Sequence, residues 1–142
     1  MRLMLDLKGN DWPKEFYQRL LKYMEAEKVP GPVYSLGGSR VKPLFDGRVM
    51  VSANRKDLRT YADRGEPVDK EYFLFELGSV LDREAVSLCR ELKVKPVAAI
   101  NTFRYTMAKR DEWTGPAEDI RKLRELGVQD YQIDSRYDSL FE

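Results

Sequence analysis

Short apolar runs recur along this chain, and between them lie stretches whose apolar residues fall at helical spacing. Residues 2–7 (RLMLDL) are the first run. Residues 12–28 then place Phe16, Tyr17, Leu20, Leu21 and Met24 on a helical stripe. Asn10, Asp11 and Pro13 are start signals for that helix, and Pro30-Gly31-Pro32 is a stop. Val33-Tyr34-Ser35-Leu36 follows as a short strand ending at Gly37-Gly38, and Pro43 limits residues 39–46 to a short helical turn. Val49-Met50-Val51-Ser52-Ala53 is the next strand, and Asn54 caps a helix over 55–64 that Gly65 ends. Residues 72–77 (YFLFEL) are a strand, and Asp82 caps a helix over 83–93 with Val86, Cys89 and Leu92 inward. Residues 96–101 (PVAAIN) read as a buried strand and 104–115 as a polar loop. Thr114 and Pro116 open a helix with Ile120, Leu123 and Leu126 inward, stopped by Gly127. Residues 129–133 are the last strand, and 135–142 a tail.

Strands that are apolar almost throughout, alternating with helices, predict a parallel sheet covered by helices. The class is α/β. Six strands fit a partial (β/α)₈ barrel or, alternatively, an open α/β sheet with the first strand in its middle. The 142 residues contain no Gly/Ser linker or low-complexity run, so one domain over 1–142 is expected.

Composition narrows the chemistry. There is no histidine, which removes the usual acid/base of neutral pH, the Ser-His-Asp and Cys-His triads, and every His-containing zinc site. Lys plus Arg is 25 and Asp plus Glu is 24, without the basic excess that a nucleic-acid groove needs. No apolar run approaches the ~20 residues of a membrane span. The first residues lack the apolar core and cleavage site of a signal peptide, so a cytoplasmic protein is expected. Cys89 sits mid-helix at a core position and reads as a structural thiol. The charged stretches 55–64, 109–112 and 118–125 mix both signs and read as solvated faces. Tyr131, Tyr137 and Phe141 read as sealing one end of the barrel, and Trp113 as covering a site or closing that end.

In either architecture the chemistry sits at the C-terminal ends of the strands. That places Asp6 and Lys8, Ser35, Ser52, Glu76, Asn101 and Thr102, and Asp134 in candidate positions. Asp6 and Lys8 are two apart and project from one face of a strand, as a cation ligand and a phosphate contact or as an exposed salt-bridged pair. Gly37-Gly38-Ser39 is either a phosphate-cradling turn or an ordinary one.

The segments VMVSANRKDLRTYADRG, EYFLFELG, KPVAAINTF and EDIRKLRELGVQDYQIDS, in that order, resemble the closing part of glycerophosphodiester phosphodiesterases, which are phospholipase-C-like (β/α)₈ barrels. AAINTF resembles the Trp-Thr-Val-Asn-like end of that family's penultimate strand. Leu123 to Asp134 resembles its Leu-x-x-x-Gly-Val-Asp-Gly-Ile-x-Thr-Asp ending, though no Pro follows Asp134. Asp6-Leu7-Lys8 resembles the Glu-Ile-Lys of its third strand. The resemblance implies metal-assisted hydrolysis of a glycerol phosphodiester to an alcohol and glycerol 3-phosphate. It makes Asp6 a ligand for a divalent cation (Mg or Ca), and Lys8 the catalytic and phosphate-binding residue. By their strand-end places Ser52, Glu76, Asn101 and Thr102 are expected as substrate-binding positions, Asn101 and Thr102 at most as wall residues in the resemblance.

The family's first two strands carry its His-Arg-Gly segment, a Glu-x-Asp pair and a second His. This chain has no counterpart, and a full barrel takes ~250 residues. The expectation is therefore a chain inactive by itself, with the missing acid and base supplied from outside it. The alternative is a non-catalytic partial barrel that binds an anionic, phosphorylated ligand. Open sheet edges add the expectation of a homo-oligomer or of a further segment covering them.

Overall fold

The computed structural model describes residues 3–7 and 12–141. Its strands are β1 (Met4–Leu5), β2 (Val33–Ser35), β3 (Val49–Ala53), β4 (Tyr72–Leu77), β5 (Lys95–Ile100) and β6 (Asp130–Ile133). They lie in the sheet in chain order. β1 runs parallel to β2, β2 to β3, and β5 to β6, with Met4 opposite Tyr34, Val33 opposite Val49 and Val97 opposite Asp130. Parallel strands in chain order, joined by helical crossovers, are the pattern of a (β/α) barrel. The open-sheet alternative required the first strand in the middle; β1 stands at one end of the order, which overturns it.

The helices are α1 (Lys14–Ala26), α2 (Arg55–Asp63), α3 (Val68–Glu71), α4 (Arg83–Leu92), α5 (Thr102–Met107) and α6 (Thr114–Glu125). No helix of the described residues is long and apolar enough to cross a membrane. The chain forms two compact units, Met1–Phe73 and Leu74–Glu142.

In the first unit α1 buries Tyr17, Leu21 and Met24. Tyr17 meets Phe45 edge-on, with ring centroids 5.1 Å apart. Phe45 belongs to one of two 3₁₀ turns, Gly38–Arg40 and Lys42–Phe45, which carry the crossover from β2 to β3 in place of an α-helix. Val49, Met50 and Val51 are all buried, as expected of a strand covered on both faces. The Asn54 side chain caps α2, accepting from the Asp57 amide at 2.8 Å. Leu58 is the buried residue of α2 and contributes on the order of 2 kcal/mol by leaving water.

In the second unit Asp82 caps α4 through the Ala85 amide at 2.9 Å. Ala85, Val86, Leu88 and Cys89 form the inward stripe of α4, so the thiol is a core group. Residues 97–100 are buried, and Ile120 and Leu123 of α6 are buried too. Gly78 follows β4 where a Cβ would collide with the Ile100 and Leu123 side chains, so a larger residue there forces the core apart.

Three local expectations change. Residues 104–115 are not one polar loop: α5 occupies Thr102–Met107, anchored by buried Tyr105 while Phe103 and Met107 stay exposed. The tail is a 3₁₀ helix over Ser135–Leu140, held by a fully buried Tyr137. A short helix, α3, precedes β4 behind Pro67, whose fixed φ suits a helix start.

Candidate functional site

At the strand ends of the first unit, Asp6 follows β1 and is exposed, with an interaction partner of its own. Lys8 lies outside the described residues. Beyond β2 the chain turns at Gly37, whose φ of +124° favours glycine and whose missing Cβ leaves room for Val41. The Gly38 amide donates to Ser52 Oγ at 3.3 Å, so Ser52 ties this turn to β3. Ser35 is fully buried and its hydroxyl donates to the Leu36 carbonyl at 3.2 Å, which makes it part of the scaffold.

A cavity of about 90 Å³ opens at the ends of β1 and β2, lined by Leu7, Tyr17, Leu36, Gly37, Arg40, Val41 and Leu44. Arg40 is exposed and has no acidic partner among the described residues. Sequence reasoning singled out Gly37-Gly38-Ser39 and passed over Arg40. The available signal was a cation two residues beyond Gly38 at a strand end. An unpaired guanidinium beside a glycine backbone and apolar walls suits a small anion.

The strand ends of the second unit are built differently. Glu76, near the end of β4, is half-buried and already engaged. Asn101 and Thr102 leave β5 beside Asp134, which leaves β6. The Thr102 amide donates to Asp134 Oδ2 at 2.7 Å, and the Asp134 amide donates to the Ile100 carbonyl at 3.3 Å. The Tyr137 amide donates in turn to the Asp134 carbonyl at 2.9 Å. Asn101 Oδ1, Thr102 Oγ1 and Tyr137 Oη are buried without a hydrogen-bond partner among the described residues. Buried polar atoms of this kind suit a ligand hydroxyl or a water. One set of bonds thus joins Ile100, Thr102, Asp134 and Tyr137, with Asn101 held between Ile100 and Thr102 on the same turn.

Around them stands an aromatic and ionic frame. Tyr137 packs edge-on against Tyr105 and Trp113, with centroids 6.5 and 5.8 Å away. Arg110 Nη1 and Nη2 hold the Asp119 carboxylate at 2.8 and 3.1 Å, and Tyr105 Oη donates to the same carboxylate at 2.9 Å. Burial raises the Tyr105 phenol above its ordinary pKa, and the neighbouring Asp119 charge raises it further. The hydrogen bond to Asp119 likewise holds the Arg110 guanidinium above its usual value. The expectation that 109–112 and 118–125 are merely solvated faces is therefore corrected at Arg110 and Asp119. Asp119 is 7% exposed and serves as the hub of this frame.

The donor set bears on the divalent cation that the resemblance implies. Among the described residues no three of His, Cys, Asp or Glu come together as ligands. Asp6 belongs to no such group among the described residues, which fall short of the six to eight oxygen ligands of Ca²⁺ or the octahedron of Mg²⁺. The described residues do not fit a resident cation.

No protein-family model matches the sequence, and no curated protein matches it. Among solved structures, the fold is similar to that of a glycerophosphoryl diester phosphodiesterase from Parabacteroides distasonis. The match has a TM-score of 0.62 at 18% identity and covers 93% of this chain and 46% of that one. The chain thus has the fold of about half of that enzyme.

Proposed function

We propose that this chain is a partial barrel of the glycerophosphodiester phosphodiesterase type, acting as one domain over residues 1–142. In this reading it binds a phosphorylated, anionic ligand and does not by itself turn over a glycerol phosphodiester. The supporting observation is the fold likeness running through 93% of the chain. The strand ends, where such barrels bind ligands, carry Arg40 over its cavity in one unit and Asn101, Thr102 and Asp134 in the other.

In this proposal Arg40 and Lys8 supply the positive charge for a phosphate. Ser52 holds the Gly37-Gly38 turn that lines the anion's seat. In the second unit, considered by itself, Glu76, Asn101 and Thr102 are the positions proposed to take a ligand's hydroxyls. Asp6 binds Mg²⁺ or Ca²⁺ only when further ligands arrive with the substrate or from another chain. The single, buried Cys89 is in keeping with a cytoplasmic location.

The second reading is hydrolysis. Water oxygen would bond to phosphorus, the phosphorus–oxygen bond to the alcohol would break, and the alcohol oxygen would take the proton. Each proton transfer needs a group poised near neutrality. The chain has no histidine, and the described carboxylates form no such cluster. Binding is therefore the reading favoured.

Calorimetric titration of the full chain with glycerol 3-phosphate and with glycerophosphocholine, with and without Mg²⁺ or Ca²⁺, tests it. Binding that weakens about tenfold in Arg40→Ala, the ~1.4 kcal/mol of one charge-assisted contact, is expected. Absence of binding at millimolar ligand overturns the proposal. Metal-dependent turnover of bis(p-nitrophenyl) phosphate, lost in Lys8→Ala, replaces it with the hydrolytic reading.

A further inference from the structure

Helix α1 carries two apolar stripes. Tyr17, Leu21 and Met24 face the core of their unit. A second stripe, Phe16, Leu20 and Tyr23, continued by Trp12 just before the helix, follows the helical spacing on another side and is exposed or half-buried. Trp12 is 46% exposed and Tyr23 64%, while Phe16 and Leu20 are half-buried. Trp12 and Phe16 are already stacked at 4.7 Å, so this end is preordered. Along the stripe runs a shallow, open groove bounded only by residues 12–23 of this one segment. Solvated helices of a monomer rarely expose two aromatics and a leucine in one line, and such patches mark interaction sites.

The charges beside the groove identify its occupant. Glu15 lies toward the N-terminal end of the stripe, and Arg19 and Lys22 lie toward the C-terminal end. None of the three has an ion-pair partner among the described residues. The pattern is self-complementary under a two-fold axis across the middle of the helix. A second α1 laid antiparallel sets Tyr23 of one copy beside Trp12 of the other, and Glu15 toward Lys22. The two helix dipoles then also oppose.

We propose that two copies of this chain associate through this face, α1 against α1, antiparallel about a two-fold axis. Helices of 13 residues give a contact ~20 Å long. That belongs to the small end of specific interfaces, near 1,200 Å². The dimer is accordingly reversible, with dissociation in the micromolar range.

Sedimentation equilibrium of the full chain across micromolar to millimolar concentration reads this directly. The expected result is a mass that rises from 16.6 kDa toward twice that value. Tyr23→Glu, at an exposed position that leaves folding intact by circular dichroism, raises the dissociation constant at least tenfold. Glu15→Lys and Lys22→Glu each weaken the homodimer. Mixing the two variants restores association, because each then supplies the other's missing sign. In a Trp113→Phe background, Trp12 emission shifts to the blue as the dimer forms. A mass fixed at 16.6 kDa throughout overturns the proposal. So does a dimer indifferent to Tyr23→Glu, or a mixture that associates no better than its components. A monomer that instead sediments with lipid vesicles assigns the face to a membrane surface.

Discussion

The two units set their largest ion clusters at different ends of their strands. In the first, the ion cluster lies at the end where β4 begins: Lys42 Nζ bonds to the Glu71 carboxylate, to Tyr72 Oη at 3.0 Å and to Glu66 at 3.5 Å. Tyr61 stacks on Tyr72 at 4.7 Å and closes the cluster. The strand ends of this unit keep a small cavity open and leave Arg40 without an acidic partner among the described residues. In the second unit the ionic frame of Arg110, Asp119 and Tyr105 stands where α5 leaves β5, on the ligand side. Charge spent on holding a loop is not available to hold a ligand. In the proposed reading the first unit leaves Arg40 to meet an anion, while the second commits Arg110 and Asp119 to holding α5 and α6 together.

If that contrast is right, the largest loss follows Asp119→Ala. It strands Arg110 and the Tyr105 hydroxyl, and it should cost about 3 kcal/mol in urea unfolding, reduced from a fully buried pair because Arg110 is partly solvated. A cost below 1 kcal/mol would mean that the frame is decoration.

Next in size is an alkaline loss of stability. Burial raises the Tyr72 phenol, and its hydrogen bond to Glu66 adds to that, against the opposing pull of Lys42. Burial lowers the Lys42 ammonium, but its bonds to Glu71 and Tyr72 outweigh this and hold it above an ordinary lysine. Together with Tyr105, these groups keep protons longer folded than unfolded. Their stabilisation is full below the unfolded values of 10.0 and 10.5 and is lost as pH rises through the higher folded ones. Melting temperatures should be flat across neutral pH and fall above pH 10, less steeply in Tyr105→Phe.

Lys42→Met should cost only about 1 kcal/mol, because both partners are a quarter exposed and water screens the pair. Its effect on ligand binding should be nil, since it stands at the other end of the strands. The smallest stability effect belongs to Arg40→Ala, within about 0.5 kcal/mol, as for a surface residue without partners. Substantial destabilisation there would show that Arg40 is structural after all.

Much of this architecture was legible in the sequence. The strands around 49–53, 72–77 and 96–101 declare themselves because parallel strands covered by helices are apolar on both faces. Asn54 and Asp82 mark helix starts through a local bond that needs no tertiary partner. Helix α5 was illegible because its one buried anchor, Tyr105, sits between exposed Phe103 and Met107, which breaks any apolar stripe. The role of Tyr137 depends on rings 24 and 32 residues earlier, Trp113 and Tyr105, which no local pattern records. Arg110 and Asp119 looked like members of charged runs, and only the fold selects them from their neighbours. Strand-end geometry likewise promoted Arg40 above Ser52, which spends its hydroxyl on the Gly38 amide.

A sheet laid down in chain order has a consequence for how the molecule comes to exist. Met4 meets Tyr34, Val33 meets Val49, and Val97 meets Asp130, so each pairing closes within 16 to 33 residues. No described strand pair waits for a partner from the far terminus. The entropy of loop closure grows with the logarithm of the span, so each addition is comparably cheap. Each strand can therefore pair with the one just before it in the chain, without waiting for a distant segment.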